Sequence, residues 1–190
     1  MRPVGTCKIE TERLELRRFT LEDAVTVHKY WASDEKIQSL YSEPVYGTIE
    51  EVRGLLNKYI SGYERDQYYR WAVVLKETGE CIGQIAYFLV DEKNNFVEME
   101  YCIGSQFQRQ GLATEAAKAV IVYAFKQMSV HKVQICHKSI NMPSRRVIEK
   151  CGFVYEGTLR DYFYMNGDYV DRLYYSILEK EFYEKLDYSK

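Results

Sequence analysis

The chain has 190 residues, enough to bury a core without disulfide or metal staples. Its hydrophobic and charged fractions, 46% and 28%, are those of an ordinary globular protein. A formal charge of −2 gives no electrostatic reason to expect nucleic acid or an anionic membrane as a partner. Met1–Gly5 lacks the apolar core of a signal peptide, and the longest apolar run, Ala119 to Phe125, is far too short to span a bilayer. The chain therefore reads as soluble, cytoplasmic and a single domain over residues 1–190. "TERLELRRF", Thr11 to Phe19, alternates charged residues with Leu14 and Leu16 and predicts a first strand. Thr20 with Glu22 and Asp23, and then Thr48 with Glu50 and Glu51, are helix starts, the second helix running to about Tyr63. Arg70 to Val90 predicts a strand pair turning at Thr78-Gly79, and a turn at Asp91–Asn95 leads into the strand "FVEMEYCIG". Ala117, Val120, Ile121, Ala124, Phe125 and Met128 form one apolar helical stripe. A strand at His131–His137, a short helix from Asn141 to Cys151, and two strands joined at Asn166-Gly167-Asp168 complete the chain. This order implies an α/β (α+β) fold, with a mixed sheet of about seven strands flanked by about four helices.

The five cysteines are scattered, no C-x-x-C pair occurs, and the three histidines have no helical H-x-x-x-H spacing, so no metal and no disulfide framework is expected. The tyrosine excess, 18 in all, reads as packing where it falls in strands, as at Tyr162, Tyr164, Tyr174 and Tyr175.

The chemistry gathers before the striped helix, at Gln108-Arg109-Gln110-Gly111-Leu112-Ala113. A helix N-terminus offers unpaired N–H groups to an anion, Gly111 and Ala113 let it approach, and Arg109 adds a cation. A plain strand-to-helix turn needing one glycine explains the same residues. A Walker loop is excluded because no Gly-Lys dipeptide occurs. A dinucleotide fingerprint is excluded because the next strand, "HKVQICHK", carries no acid for a ribose.

What remains resembles the Q/R-x-x-G-x-G/A signature of the GNAT N-acetyltransferases. "TERLELRRFTLEDA", "HKVQICHKSINMPSRRVIEKCGFVYEG" and "MNGDYVD" are similar, in order and distance, to the RimJ/RimL-like branch of that family. The resemblance spans about Ile9 to Phe182 and implies the GNAT fold with acetyl-CoA as co-substrate. It implies that Gln108, Arg109, Gln110, Gly111, Leu112, Ala113 and Thr114 hold the pyrophosphate. It also implies that Tyr101, Cys102 and Ile103 lie on a splayed strand whose backbone binds the pantetheine arm and the carbonyl oxygen. Asn141 is then expected to bind pantetheine amides, and Ser144 to hydrogen-bond or protonate the leaving thiolate. Ser144 would replace the family's helix tyrosine, since Ile148 stands in that context here. As residue types, Asn141 and Ser144 are equally explained as helix caps.

An acceptor amine must lose a proton, and Glu98 and Glu100, two apart on a strand, project from one face. Glu98 matches the branch's usual glutamate and is the expected base; Glu100, where many members have a small residue, is the second candidate. Both are also explained as solvated or lysine-paired acids. Cys102 as a covalent nucleophile is an alternative, although no histidine lies near it in sequence. The branch implies an acceptor that is a protein or peptide N-terminus, a polyamine, or a small amine or antibiotic, with the N-terminus leading. Tyr41 to Tyr46, "YSEPVY", falls where the acceptor cleft is often shaped, and a homodimer is left open. The class alternative is an acyl-CoA-binding sensor without turnover.

Overall fold

The computed structural model describes residues 1–41 and 43–184. One eight-stranded sheet has the order β1-β2-β3-β4-β5-β6-β8-β7. Its strands are β1 (Ile9–Glu10), β2 (Leu14–Arg17), β3 (Tyr69–Leu75), β4 (Cys81–Asp91), β5 (Phe96–Ile103), β6 (Lys132–Lys138), β7 (Val154–Met165) and β8 (Asp168–Leu178). All pairs are antiparallel except β5–β6. Among the described residues six α-helices accompany it: α1 (Ala24–Val27), α2 (Glu35–Tyr41), α3 (Ile49–Gly62), α4 (Leu112–Tyr123), α5 (Met142–Lys150) and α6 (Glu179–Glu184). The fold is the mixed sheet and helix arrangement expected from the sequence, with one more strand and two more helices. β1 has two residues, and α2 and α6 have seven and six, too short to show a periodic stripe. A wider π turn, Ala124–Met128, extends α4 and keeps Phe125 and Met128 in the core.

Alternation along the strands divides the core in two. On one face Trp71, Val73, Ile85, Met99, Val133 and Ile135 meet the stripe of α4 and Ile148 of α5. On the other, Ala72, Val74, Cys81 and Cys102 meet α1 and α3, through residues such as Val27, Val52 and Leu56. Thr48 starts α3 with reciprocal bonds: its hydroxyl accepts from Glu51 N–H at 3.2 Å, and its own N–H donates to Glu51 Oε2 at 2.9 Å.

Part of the tyrosine excess is core packing with each hydroxyl satisfied. Trp71 meets Tyr87 and Tyr123 edge to face, at 5.7 and 5.4 Å between ring centroids. Tyr87 donates to the Val120 carbonyl and Tyr123 to that of Gly5. Tyr162 and Tyr164 depart from the packing expectation: they are 50% and 66% exposed, because β7 is the outer strand of the sheet.

Candidate functional site

β5 and β6 pair in parallel only from Phe96↔Lys132 to Met99↔Ile135. Beyond that point β5 continues to Ile103 along β4, and β6 continues to Lys138 along β8. The two strands splay, so Glu100–Ile103 and Cys136–Lys138 face each other without pairing. Backbone groups that a continuous ladder would consume are left at this gap for a ligand. Tyr101, Cys102 and Ile103 all lie in it.

Successive β5 side chains point to opposite faces. Tyr101 packs with the α4 side and Cys102 with the α1–α3 side. The Tyr101 hydroxyl donates to Ser144 Oγ at 3.1 Å, so one hydrogen bond ties the splayed strand to the first turn of α5. Burial raises the Tyr101 phenol pKa, although the Ser144 bond works against the shift. Asn141 caps α5 by accepting from Ser144 N–H at 3.2 Å, which is the cap reading of both residues. The capping bond engages only the carbonyl oxygen of Asn141 and leaves the side-chain NH₂ as a donor. Burial pushes the Cys102 thiol up to about 12, which keeps it protonated and unsuited to nucleophilic attack.

The Gly111 turn precedes α4. Arg109 and Gly111 are both left-handed, at φ 62° and 81°, a conformation natural to glycine and strained for arginine. Glu115 N–H is the first to bond back into the helix, to the Gly111 carbonyl at 3.0 Å. The N–H groups of Leu112, Ala113 and Thr114 therefore precede the first helical bond, at the end of the helix whose dipole favours an anion. Gln108 spends its side-chain amide on the Ile103 carbonyl, and Gln110 spends its own on Gln106. Those two act here as braces of the loop.

Sequence reasoning missed Arg13. It donates to the Gln110 carbonyl at 2.9 Å and grips Glu115 through Nε and Nη2, both at 2.7 Å. Burial opposes charge on Glu115, but bonds from Thr11 and Arg13 outweigh it and lower its pKa. The available signal was an acid in the first turn of α4 facing an arginine-rich first strand.

On the α1–α3 face the two glutamates have separate partners. Glu98, 3% exposed, accepts from Arg172 Nη2 on one oxygen and from Gln134 Nε2 on the other, both at 2.9 Å. Glu100 accepts from Arg70 Nη2 at 2.7 Å and lies past the end of the β5–β6 pairing, in the splay. Arg70 also donates to Gln84 at 2.5 Å, and its guanidinium sits 4.4 Å from the centroid of Tyr59. Both arginines were missed; Arg70 is a lone charge in an aromatic strand segment, the pattern of a buried pair, whereas Arg172 directly follows Asp171 and carries no such signal.

Tyr41 lies beside Glu100 and Arg70, its buried hydroxyl close enough to Glu100 for the two to interact. Burial, and secondarily Glu100, raises the Glu43 carboxyl pKa. The segment expected to shape the acceptor cleft thus approaches Glu100, while its Ser42 lies outside the described residues. Arg65, Tyr68, Arg70 and Phe88 line a cleft of about 380 Å³, within the usual size of small-ligand sites. Among the described residues no three His, Cys, Asp or Glu side chains cluster as metal ligands, and no helix is long and apolar enough to cross a membrane.

Residues 13–154 match the model of the GNAT acetyltransferase domain. The chain belongs to the GNAT N-acetyltransferase family. A GNAT-family acetyltransferase from Bacillus anthracis superposes with a TM-score of 0.80 at 30% identity, covering 92% of this chain and all of that one. YdaF of Bacillus subtilis (strain 168), whose name is "Putative ribosomal N-acetyltransferase", is 38% identical over 103 residues, 54% of this chain and 56% of that protein. The spermidine N-acetyltransferase of Vibrio cholerae, solved with CoA and spermine, superposes with a TM-score of 0.78 at 25% identity and covers 91% of this chain and 99% of that one. The GNAT relatives thus include proteins named for two acceptor classes, and the choice between them rests on the acceptor face of this chain.

Proposed function

We propose that this GNAT N-acetyltransferase moves an acetyl group from acetyl-CoA to the α-amine of a protein or peptide N-terminus, by direct attack of the amine. The observation that carries this choice is the pairing of both glutamates with arginines, Glu98 with Arg172 and Glu100 with Arg70. A polycation such as spermidine needs surplus negative charge at the acceptor site, and these pairs cancel it. An α-amine, with a pKa near 8, needs far less help to lose its proton than an alkyl amine near 10.4. A site with arginines beside the amine suits the weaker base. YdaF supports the same acceptor class.

In this reading the Leu112, Ala113 and Thr114 N–H groups, with Arg109, hold the pyrophosphate. The Asn141 side-chain NH₂ and the open backbone edges of β5 and β6 hold the pantetheine arm. Acetyl-CoA supplies a thioester, whose carbonyl is open to attack by a neutral amine. An N–H of the splayed β5 segment donates to the carbonyl oxygen as it gains charge. Glu100 accepts the amine proton, directly or through water, because it stands in the splay and has one arginine contact. Glu98, held on both oxygens, anchors Arg172 instead. Cys102 keeps its proton and forms no acyl intermediate.

The test is release of free thiol from acetyl-CoA across two panels, N-terminal peptides and polyamines. Turnover of peptides at a kcat/KM at least about tenfold above spermidine is the expected result. Preference for spermidine would overturn the acceptor assignment. Binding of acetyl-CoA without release on either panel would favour the sensor.

A further inference from the structure

Tyr101 and Ser144 come from different elements, and their hydroxyls meet at 3.1 Å with the phenol as donor. A serine hydroxyl carries one proton and two lone pairs. With its oxygen accepting from Tyr101, the Ser144 proton is free to be donated elsewhere. The backbone of Ser144 is fixed by its bond to Asn141, so the hydroxyl is held from two sides. Tyr101 reaches it from the end of β5 that no longer pairs with β6, at the gap assigned above to the pantetheine arm.

We propose that Tyr101 is a positioning residue for the leaving sulfur, its O–H holding the Ser144 oxygen so that the Ser144 O–H is aimed at the developing thiolate. This rests on the transferase reading above. In the step concerned, the acceptor nitrogen bonds to the carbonyl carbon, the carbon–sulfur bond breaks and its electron pair goes to sulfur. The nitrogen gives up a proton to Glu100 or water, and sulfur ends by gaining one from solvent. Ser144 donates a hydrogen bond and keeps its proton. Complete transfer would be uphill, since a thiol has a pKa of about 8.5, a free phenol about 10, and an alcohol lies higher still. Burial of Tyr101 raises its pKa further, so it remains a donor throughout the neutral range. A bond to charged sulfur is strengthened when its donor is itself hydrogen-bonded.

The test uses Tyr101→Phe, Ser144→Ala and the double variant. Tyr101→Phe is expected to lower kcat about tenfold while KM for acetyl-CoA moves less than about twofold. The double variant is expected to be no slower than Ser144→Ala, because Tyr101 acts only through Ser144. A second readout needs no turnover: the thiol of CoA bound to each protein is titrated by its ultraviolet thiolate absorbance. Its acid dissociation constant is expected to be about tenfold larger in the wild type than in Tyr101→Phe. An unchanged kcat, multiplying losses in the double variant, or identical thiol titrations would overturn the proposal. Failure of the wild type to acetylate any amine would instead overturn the transferase reading, and the titration would still decide the role of Tyr101.

Discussion

Glu98 and Glu100 share one face of β5, yet two residues of separation place them in different chemistry. Glu98 faces Gln134 across a ladder that is still paired, and Arg172 closes over it. Glu100 is the first of its face beyond the pairing, with 22% of its side chain exposed against 4% for Glu98. Spacing alone makes the two equivalent, and only the end of the ladder separates them. Glu100→Gln is therefore expected to lower kcat/KM for the amine by about 100-fold, the lower range for loss of a general base, and also to cost stability, since it leaves the buried Arg70 without its countercharge. Glu98→Gln is expected to cost stability with little kinetic loss. It leaves Arg172 buried without its countercharge, an effect on the order of 3 kcal/mol when one partner of a buried pair is lost. Thermal unfolding and peptide kinetics on the two variants check both expectations. A larger kinetic loss in Glu98→Gln would return the base to that residue.

At the scale of elements, the long periodic segments were legible and the joins between them were not. The α4 stripe, the strand pair turning at Gly79 and the Thr48 start of α3 each follow from local sequence, because side-chain period and capping chemistry are local properties. The glycine turn at Gly111 was legible, but its brace was not. Arg13 and Glu115 are 102 residues apart, and no local pattern announces such a contact. The same holds for Arg70 with Glu100, for Arg172 with Glu98, and for the phenol that reaches Ser144 from another strand. The turn itself is open to test. Gly111 has φ 81°, and a Cβ there would come 3.5 Å from Arg13 Nη2, an ordinary contact distance. Backbone conformation, more than crowding, is thus the constraint. Gly111→Ala is expected to cost about 1 kcal/mol in stability and to weaken acetyl-CoA binding, whereas Gly111→Asn, tolerant of left-handed backbone, is expected to cost less of both. Calorimetry with acetyl-CoA and thermal unfolding read the two effects. Equal losses in Ala and Asn would show that the added side chain matters more than the dihedral.

For the molecule as a whole, acid should act through groups that folding holds away from their ordinary charge state. His137 is 4% exposed, stacked against Tyr175 at 5.5 Å on the α4–α5 side of the sheet. Burial lowers its pKa, as does Arg145 to a lesser degree, while the Lys138 carbonyl and Glu149 pull the other way. An unfolded histidine titrates near 6.5, so below that pH the unfolded chain takes up a proton that the folded one refuses. Stability is therefore full above about pH 6.5 and falls as pH drops toward the folded value. Glu115 adds a second, more acid window: its folded pKa is depressed, and the stability it lends above the unfolded value near 4.5 is lost as pH falls through the folded one. The two windows separate by variant. His137→Phe is expected to flatten the decline in melting temperature between pH 7 and 5, whatever its effect on the absolute value at pH 7. It should leave the steeper decline below about pH 4.5 in place, since that loss belongs to the Arg13–Glu115 clasp and other paired carboxylates. A wild-type slope between pH 7 and 5 that survives His137→Phe unchanged would assign the upper window to another group.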